Sequence, residues 1–203
     1  MMHGAALSAQ QIDSVLRHQL VERAERDQYL MCLQAQNMSD SLRTQAVAAT
    51  LRANGLWLDA LITRSHWPTT SLVGTDGVQA AWLIAQHADA LPEVQQRALA
   101  AIKLALASGE GRAIDMAYLE DRIRKADGKP QVYATQVEYD SHGDATIPPV
   151  DDPTHLDERR ASVGMMPMVK YLAQMNAVNA QLRQMPKPAI SDAKPVTGQS
   201  CVK

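Results

Sequence analysis

From Val78 to Ala85 the chain reads VQAAWLIA, eight residues without a charge, and it stops abruptly at Gln86, His87 and Asp89. A helix of that composition is apolar round most of its circumference, so it must be surrounded by other elements. Asp76 is placed to cap its start, and Thr69 to Gly77, with two glycines, reads as the loop that feeds it. A histidine and an aspartate at the end of a buried element need partners or a cavity. His87 and Asp89 are therefore the first candidates for a functional site.

The segments on either side are amphipathic. Ser8 and Gln11 have capping-box spacing ahead of a helical run to about Gln34, in which Ile12, Leu16, Leu20, Ala24 and Met31 alternate with charges. A second pattern covers Leu42 to Arg64, with Asn54 and Gly55 predicting an interruption or kink. His66, Trp67 and Pro68 end it, because the residue before a proline leaves the α basin. Pro92 suits the first turn of a helix carrying Val94, Ala98, Leu99, Ile102 and Leu106, and Gly109 and Gly111 stop it. Arg112 to Lys125 gives one more helix. Asp152 to about Val163 and Met165 to Met185 give the last two.

The texture changes after Gly128. Val132, Tyr133, Thr135, Val137 and Tyr139 precede the turn Ser141-His142-Gly143-Asp144, and Thr146 and Ile147 follow it, so the pattern predicts a β-hairpin over about 131–150. Pro148 and Pro149 keep its second arm short or at an edge. Residues 186–203 hold three prolines among small and polar residues and read as a disordered tail. The expected architecture is mostly α: a single-domain helical bundle over 1–185, of about six to seven helices, with one small β-hairpin.

Charge and composition exclude several classes. With 20 basic against 22 acidic residues the net charge is −2, and no basic run could follow a phosphate backbone, which argues against nucleic acid or a membrane surface as partner. No window approaches the roughly 20 apolar residues that span a bilayer. The start lacks the basic and apolar regions of a signal peptide, so the expected compartment is the cytoplasm, or the periplasm if a leader has been removed. Cys32 and Cys201 lack metal-ligand spacing, and they read as a core thiol and a tail thiol or as a disulfide tying the tail. The P-loop, the Gly-rich dinucleotide turn, the zinc-protease His pair and the nucleophile elbow are all missing from the sequence.

Several ordered motifs carry a resemblance. Trp67-Pro68, Ser71-Leu72-Val73-Gly74, Asp76-Gly77, Ala80 to Ile84, Gln86-His87-Ala88-Asp89, Tyr118-Leu119-x-Asp121-Arg122, Gly128 to Gln136 and Asp157-Glu158-Arg159-Arg160-x-x-Val163-Gly164 resemble the serial motifs of a widespread bacterial family of uncharacterised proteins. The likeness spans about Arg26 to Leu172 and implies membership, not a reaction. One departure stands out: Ala134 lies where that pattern has glycine, which puts in doubt a close backbone approach of a ligand there.

The motif residues allow two readings each. His87 and Asp89 diverge by roughly 200° on a regular helix and converge only if the helix ends at His87. His87 would then be a general base or a metal ligand with Asp89 or Asp121 orienting it, or else a residue satisfying the helix dipole. Gln131, Tyr133 and Thr135 alternate onto one strand face and, with Gln136, either hold a ligand or knit the hairpin to the helices. Asp121 and Arg122 close a helix. Of Arg159 and Arg160 one points inward, seeking a carboxylate or an anionic ligand.

Two functions fit. One is an enzyme with His87, Asp89 and Asp121 as catalytic residues and Arg122, Gln131, Tyr133, Thr135, Gln136, Arg159 and Arg160 binding a small polar or anionic substrate, in a pocket where the QHAD, PQVYATQ and DERR motifs meet. The other is a non-enzymatic binding or immunity-type protein whose polar motifs are structural and whose surface engages a protein partner. The sequence specifies no cofactor, and its metal is unknown.

Overall fold

The uncharged run lies where its composition demands, inside a cage of helices. The computed structural model describes residues 12–36 and 41–184. In chain order these form α1 (Ser14–Gln36), α2 (Ser41–Ser65), α3 (Thr70–Gln86), α4 (Pro92–Ala107), α5 (Ala113–Ala126), β1 (Glu138–Tyr139), β2 (Ala145–Thr146), α6 (Leu156–Ser162) and α7 (Met168–Gln184). Helix α3 packs against α1, α2, α4 and α5. Its Val73, Val78, Ala81, Ile84 and Ala85 are buried with Leu20 of α1, Leu58 of α2, Ile102 of α4 and Leu119 of α5. No helix among the described residues is long and apolar enough to cross a membrane. The mostly α expectation, seven helices with one small antiparallel sheet, holds among the described residues. The Ser8 and Gln11 capping box, the tail and the pairing of Cys201 lie outside them.

Local differences from the sequence reading each have a cause. Thr69 to Gly77 is not a loop: the helix begins at Thr70 and is broken at Gly74, whose φ of 75° and ψ of 171° only glycine adopts readily. Asp76 bonds the Gly77 amide and takes the Arg17 guanidinium, Nε at 2.8 Å, so it ties α1 to α3 across the break. At the start of α1, Asp13 accepts the Leu16 N–H at 2.9 Å. Pro92 occupies the first turn of α4, as its fixed φ favours.

Asn54 and Gly55 do not interrupt α2, which is continuous. Gly55 is there because a Cβ would lie 2.9 Å from Leu91 Cδ1 and 3.2 Å from Ala88 Cβ, at the turn between α3 and α4. The residue missing its side chain lets two elements touch.

The second lobe gathers around α7. Ala134, Leu156, Met168 and Tyr171 form its apolar centre. The hairpin is smaller than expected, Glu138 opposite Thr146 and Tyr139 opposite Ala145. Two-residue strands cannot stand alone, and α7 holds them through polar side chains. Asn176 Oδ1 accepts the Ala145 N–H at 2.6 Å, and Asn179 donates to Gly143 O at 2.6 Å. Gln131 and Val150 meet only in an isolated bridge.

Gly55→Val should destabilise the protein by about 1–3 kcal/mol, because a branched side chain is driven into the α3–α4 turn. Urea denaturation checks this, and an unchanged midpoint would show that the approach is not tight.

Candidate functional site

Helix α3 ends at Gln86, and His87 is its C-cap, with φ −89° and ψ 0°. The imidazole leans back over α1, and its side chain is 11% exposed. Its Nδ1 stands 3.7 Å from Oδ2 of Asp27, a carboxylate with no exposure at all. Neither of those two atoms has a hydrogen-bond partner among the described residues. The opposite ring nitrogen, Nε2, is 3.4 Å from the Gln28 amide nitrogen. That nitrogen can only donate, so Nε2 accepts and the proton of a neutral ring sits on Nδ1, towards Asp27.

A line of polar groups supports Asp27 from behind. Asn54 Nδ2 donates to Asp27 Oδ1 at 2.6 Å, and Arg23 Nη1 donates to Asn54 Oδ1 at 2.8 Å. The Arg23 guanidinium lies 4.4 Å over the Trp57 ring. Arg23 and Asn54 also line a cleft of about 580 Å³ between α1 and α2, together with Arg26 and Thr50.

Asp89 turns the other way. Arg122 grips it through Nε at 2.7 Å and Nη2 at 2.5 Å, and Gln95 Nε2 adds a bond at 3.0 Å. Burial pushes the Asp89 carboxyl upward, but the bond to Arg122 and its charge, with Gln95 and His87, hold it below the usual carboxylate range. Arg122 also reaches Gln136 Oε1 at 3.3 Å, and Gln136 Nε2 donates to Thr135 Oγ1 at 3.1 Å. Asp89, Arg122, Gln136 and Thr135 are thus joined in one chain.

The remaining candidates form a different network. Asp121 is wholly buried on α5 and accepts the backbone N–H groups of Val132 at 2.7 Å, Tyr133 at 3.1 Å and Thr135 at 2.9 Å. Residues 131–135 curl around this carboxylate, so the expected strand with Gln131, Tyr133 and Thr135 on one face does not form. Ala134 makes the curl with φ 54°, a left-handed conformation that glycine takes more easily. Gln131 closes the loop, its amide bonding both N–H and C=O of Gln136 at 3.0 and 3.1 Å. Arg159 Nε donates to Val132 O at 2.9 Å. Arg160, buried, donates to Tyr133 O at 2.6 Å and to Met166 O at 2.8 Å.

The candidates therefore fall into three groups, and no cavity lined by the described residues collects them. His87 stands with Asp27, Asp89 with Arg122 and Gln136, and Asp121 with the 131–136 loop and the two arginines. Among the described residues no three His, Cys, Asp or Glu side chains come together as a metal set. Asp121 spends its oxygens on backbone amides, and Asp89 is held by Arg122, so the carboxylate facing His87 is Asp27. Asp27, Gln28, Asn54 and Arg23 are not among the residues that the sequence motifs single out. The signal was present: Leu20, Ala24 and Asp27 share one face of α1 at offsets of four and three, and Val47, Asn54, Leu58 and Leu61 share one face of α2.

A family model described as a family of unknown function (DUF6624) matches residues 7–182. No curated protein and no solved structure matches the chain.

Two substitutions test the buried carboxylates away from His87. Asp121→Asn leaves several amides facing a donor-bearing side chain and should cost on the order of 3 kcal/mol in chemical denaturation. Asp115 is different: burial raises its carboxyl from 3.8 to about 6, against the pull of Arg112, and its Oδ2 has no partner. The folded state binds this proton more tightly than the unfolded one, so stability is lost as pH rises from about 4 to about 6. Asp115→Asn should raise the melting temperature at pH 7, by the equivalent of ~2 kcal/mol, and leave it near wild type at pH 4.

Proposed function

Because the chain belongs to that family of unknown function, we propose its activity from geometry alone: an enzyme that moves a proton on a small polar substrate, with His87 as general acid–base and Asp27 as the positioning carboxylate. The observation that carries this reading is the facing pair itself. Asp27 Oδ2 and His87 Nδ1 are 3.7 Å apart, and neither has another partner among the described residues. A side chain serving only the scaffold would be packed to satisfy both atoms, since each unsatisfied buried polar atom costs about 1–3 kcal/mol. Strain of that kind is retained where chemistry uses it.

The roles follow from the ring. Nε2 faces outward beside Gln28 and accepts a proton from the substrate. The resulting imidazolium carries N–H on both sides, and Asp27, at the inner side, compensates its charge. At that moment the 3.7 Å separation would close to a charge-assisted hydrogen bond from Nδ1–H to the Asp27 carboxylate. Gln28 supplies an amide to orient a polar substrate group. An anionic group arriving from the Asp89 side would compete for Arg122, whose fork suits a carboxylate. Arg159, Gln131 and Asp121 take no part in this scheme, because their hydrogen bonds are made within the chain.

The second reading, a non-enzymatic binding or immunity-type protein, is favoured by that same inward use of the polar motifs. One experiment separates the two. His87→Asn and Asp27→Asn should keep or raise the melting temperature, while turnover across a panel of chromogenic esters, amides, phosphates and glycosides falls by about 100-fold or more in His87→Asn. If both variants lose more than about 2 kcal/mol of stability and the wild type turns over nothing in the panel, the pair is scaffold.

A further inference from the structure

We propose that the pocket between α5, α6 and α7 binds a small organic carboxylate with an apolar body, its anionic group resting on Arg160. The site shares no residue with the His87 pair, and the proposal stands or falls apart from the enzymatic reading.

Arg160 is the largest fully buried side chain among the described residues, 1% exposed, and it forms part of the wall of a cavity of about 250 Å³. Most of that wall is apolar, from Ile114 and Tyr118 of α5, Met165 between α6 and α7, and Tyr171 and Met175 of α7. A guanidinium buried in such a place needs a counter-charge. Among the described residues no carboxylate comes within salt-bridge distance of it. The two nearest acids act on it only from beyond ion-pair distance: Asp157 accepts the Met168 N–H at 2.7 Å, and Asp121 accepts the amides of the 131–135 loop. Nε and Nη1 go to the carbonyls of Met166 and Tyr133, and the plane lies 4.8 Å over the Tyr171 ring. Those contacts fix the guanidinium in place with no carboxylate touching it among the described residues, and Nη2 makes no hydrogen bond to a described residue.

The shape and chemistry narrow the ligand. At about 250 Å³ the cavity is at the small end for a ligand site, so it suits a short-chain or single-ring molecule. One guanidinium edge matches one carboxylate, whereas a phosphate dianion would ask for more donors than these methionine and isoleucine walls provide. Tyr118 adds a donor: its hydroxyl now spans a long 3.5 Å to Tyr171, whose own hydroxyl is committed to Thr135 O at 2.9 Å. A bound carboxylate would give Tyr118 a nearer acceptor. The methionine side chains are adaptable enough to fit around a compact apolar body.

The test compares charged and neutral probes of one shape. Benzoate and hexanoate are titrated against benzamide and hexanamide, following the methyl signals of Met165 and Met175 and the heat of binding. The proposal expects each acid to bind about tenfold or more tighter than its amide, as a charge-assisted contact requires, and to move those methionines. Arg160→Met also removes two carbonyl bonds and is expected to unfold the lobe. Gln174→Glu, an exposed change on the rim, instead leaves the melting temperature alone and weakens the acids several-fold without touching the amides. Equal binding of acid and amide, no binding in the millimolar range, or acids unaffected by Gln174→Glu would each overturn it.

Discussion

The Asp121 carboxylate joins the two lobes of this protein. It sits on the same helix as the core residues Ala117 and Leu119, yet its oxygens collect the amides of a loop that belongs to the other lobe. A buried carboxylate is costly unless hydrogen bonds replace its water, and three backbone donors do so here. Once the loop is wound around Asp121, its carbonyls point away, and they become the acceptors for Arg159, Arg160 and Tyr171. The second lobe is assembled on that outward-facing set.

The contrast with Asp27 gives the functional reading its force. Both aspartates are completely buried. One oxygen of Asp27 is held by Asn54, and the other faces an imidazole nitrogen that also lacks a partner. The same chain that satisfies Asp121 at both oxygens leaves Asp27 half satisfied, beside the one histidine placed at the end of its central helix. Position matters too, because α3 is caged by four helices and its last residue cannot drift. A ring held there keeps its inner edge on Asp27 and its outer edge towards Gln28.

Backbone conformation decided features that side-chain patterns suggested differently. Ala134 adopts a left-handed φ and its Cβ is fully buried against Leu156, Met168 and Tyr171. The resemblance places glycine at that position, and the curl around Asp121 is the reason: the loop needs that φ whatever the side chain. The alternation of Gln131, Tyr133 and Thr135 looked like a strand only because a period of two is indifferent to curvature. Gly55 shows the converse, a glycine inside a regular helix that serves a neighbour's approach and not a bend.

The sequence by itself determined the helices, the buried character of the segment before His87, the start of α4 at Pro92 and the presence of a small hairpin, because periodicity, caps and prolines act over a few residues. It also pointed to His87, through the simple fact that a polar pair ends an uncharged run. Tertiary structure alone decided which carboxylate His87 meets. Asp89 is two residues away and turns to Arg122, while Asp27 is sixty residues away on another helix and is brought to the ring by the packing of α1 on α3. Pairing across that separation depends on how whole helices dock, and docking is set by the summed shape of their apolar faces, which no local pattern of residues encodes.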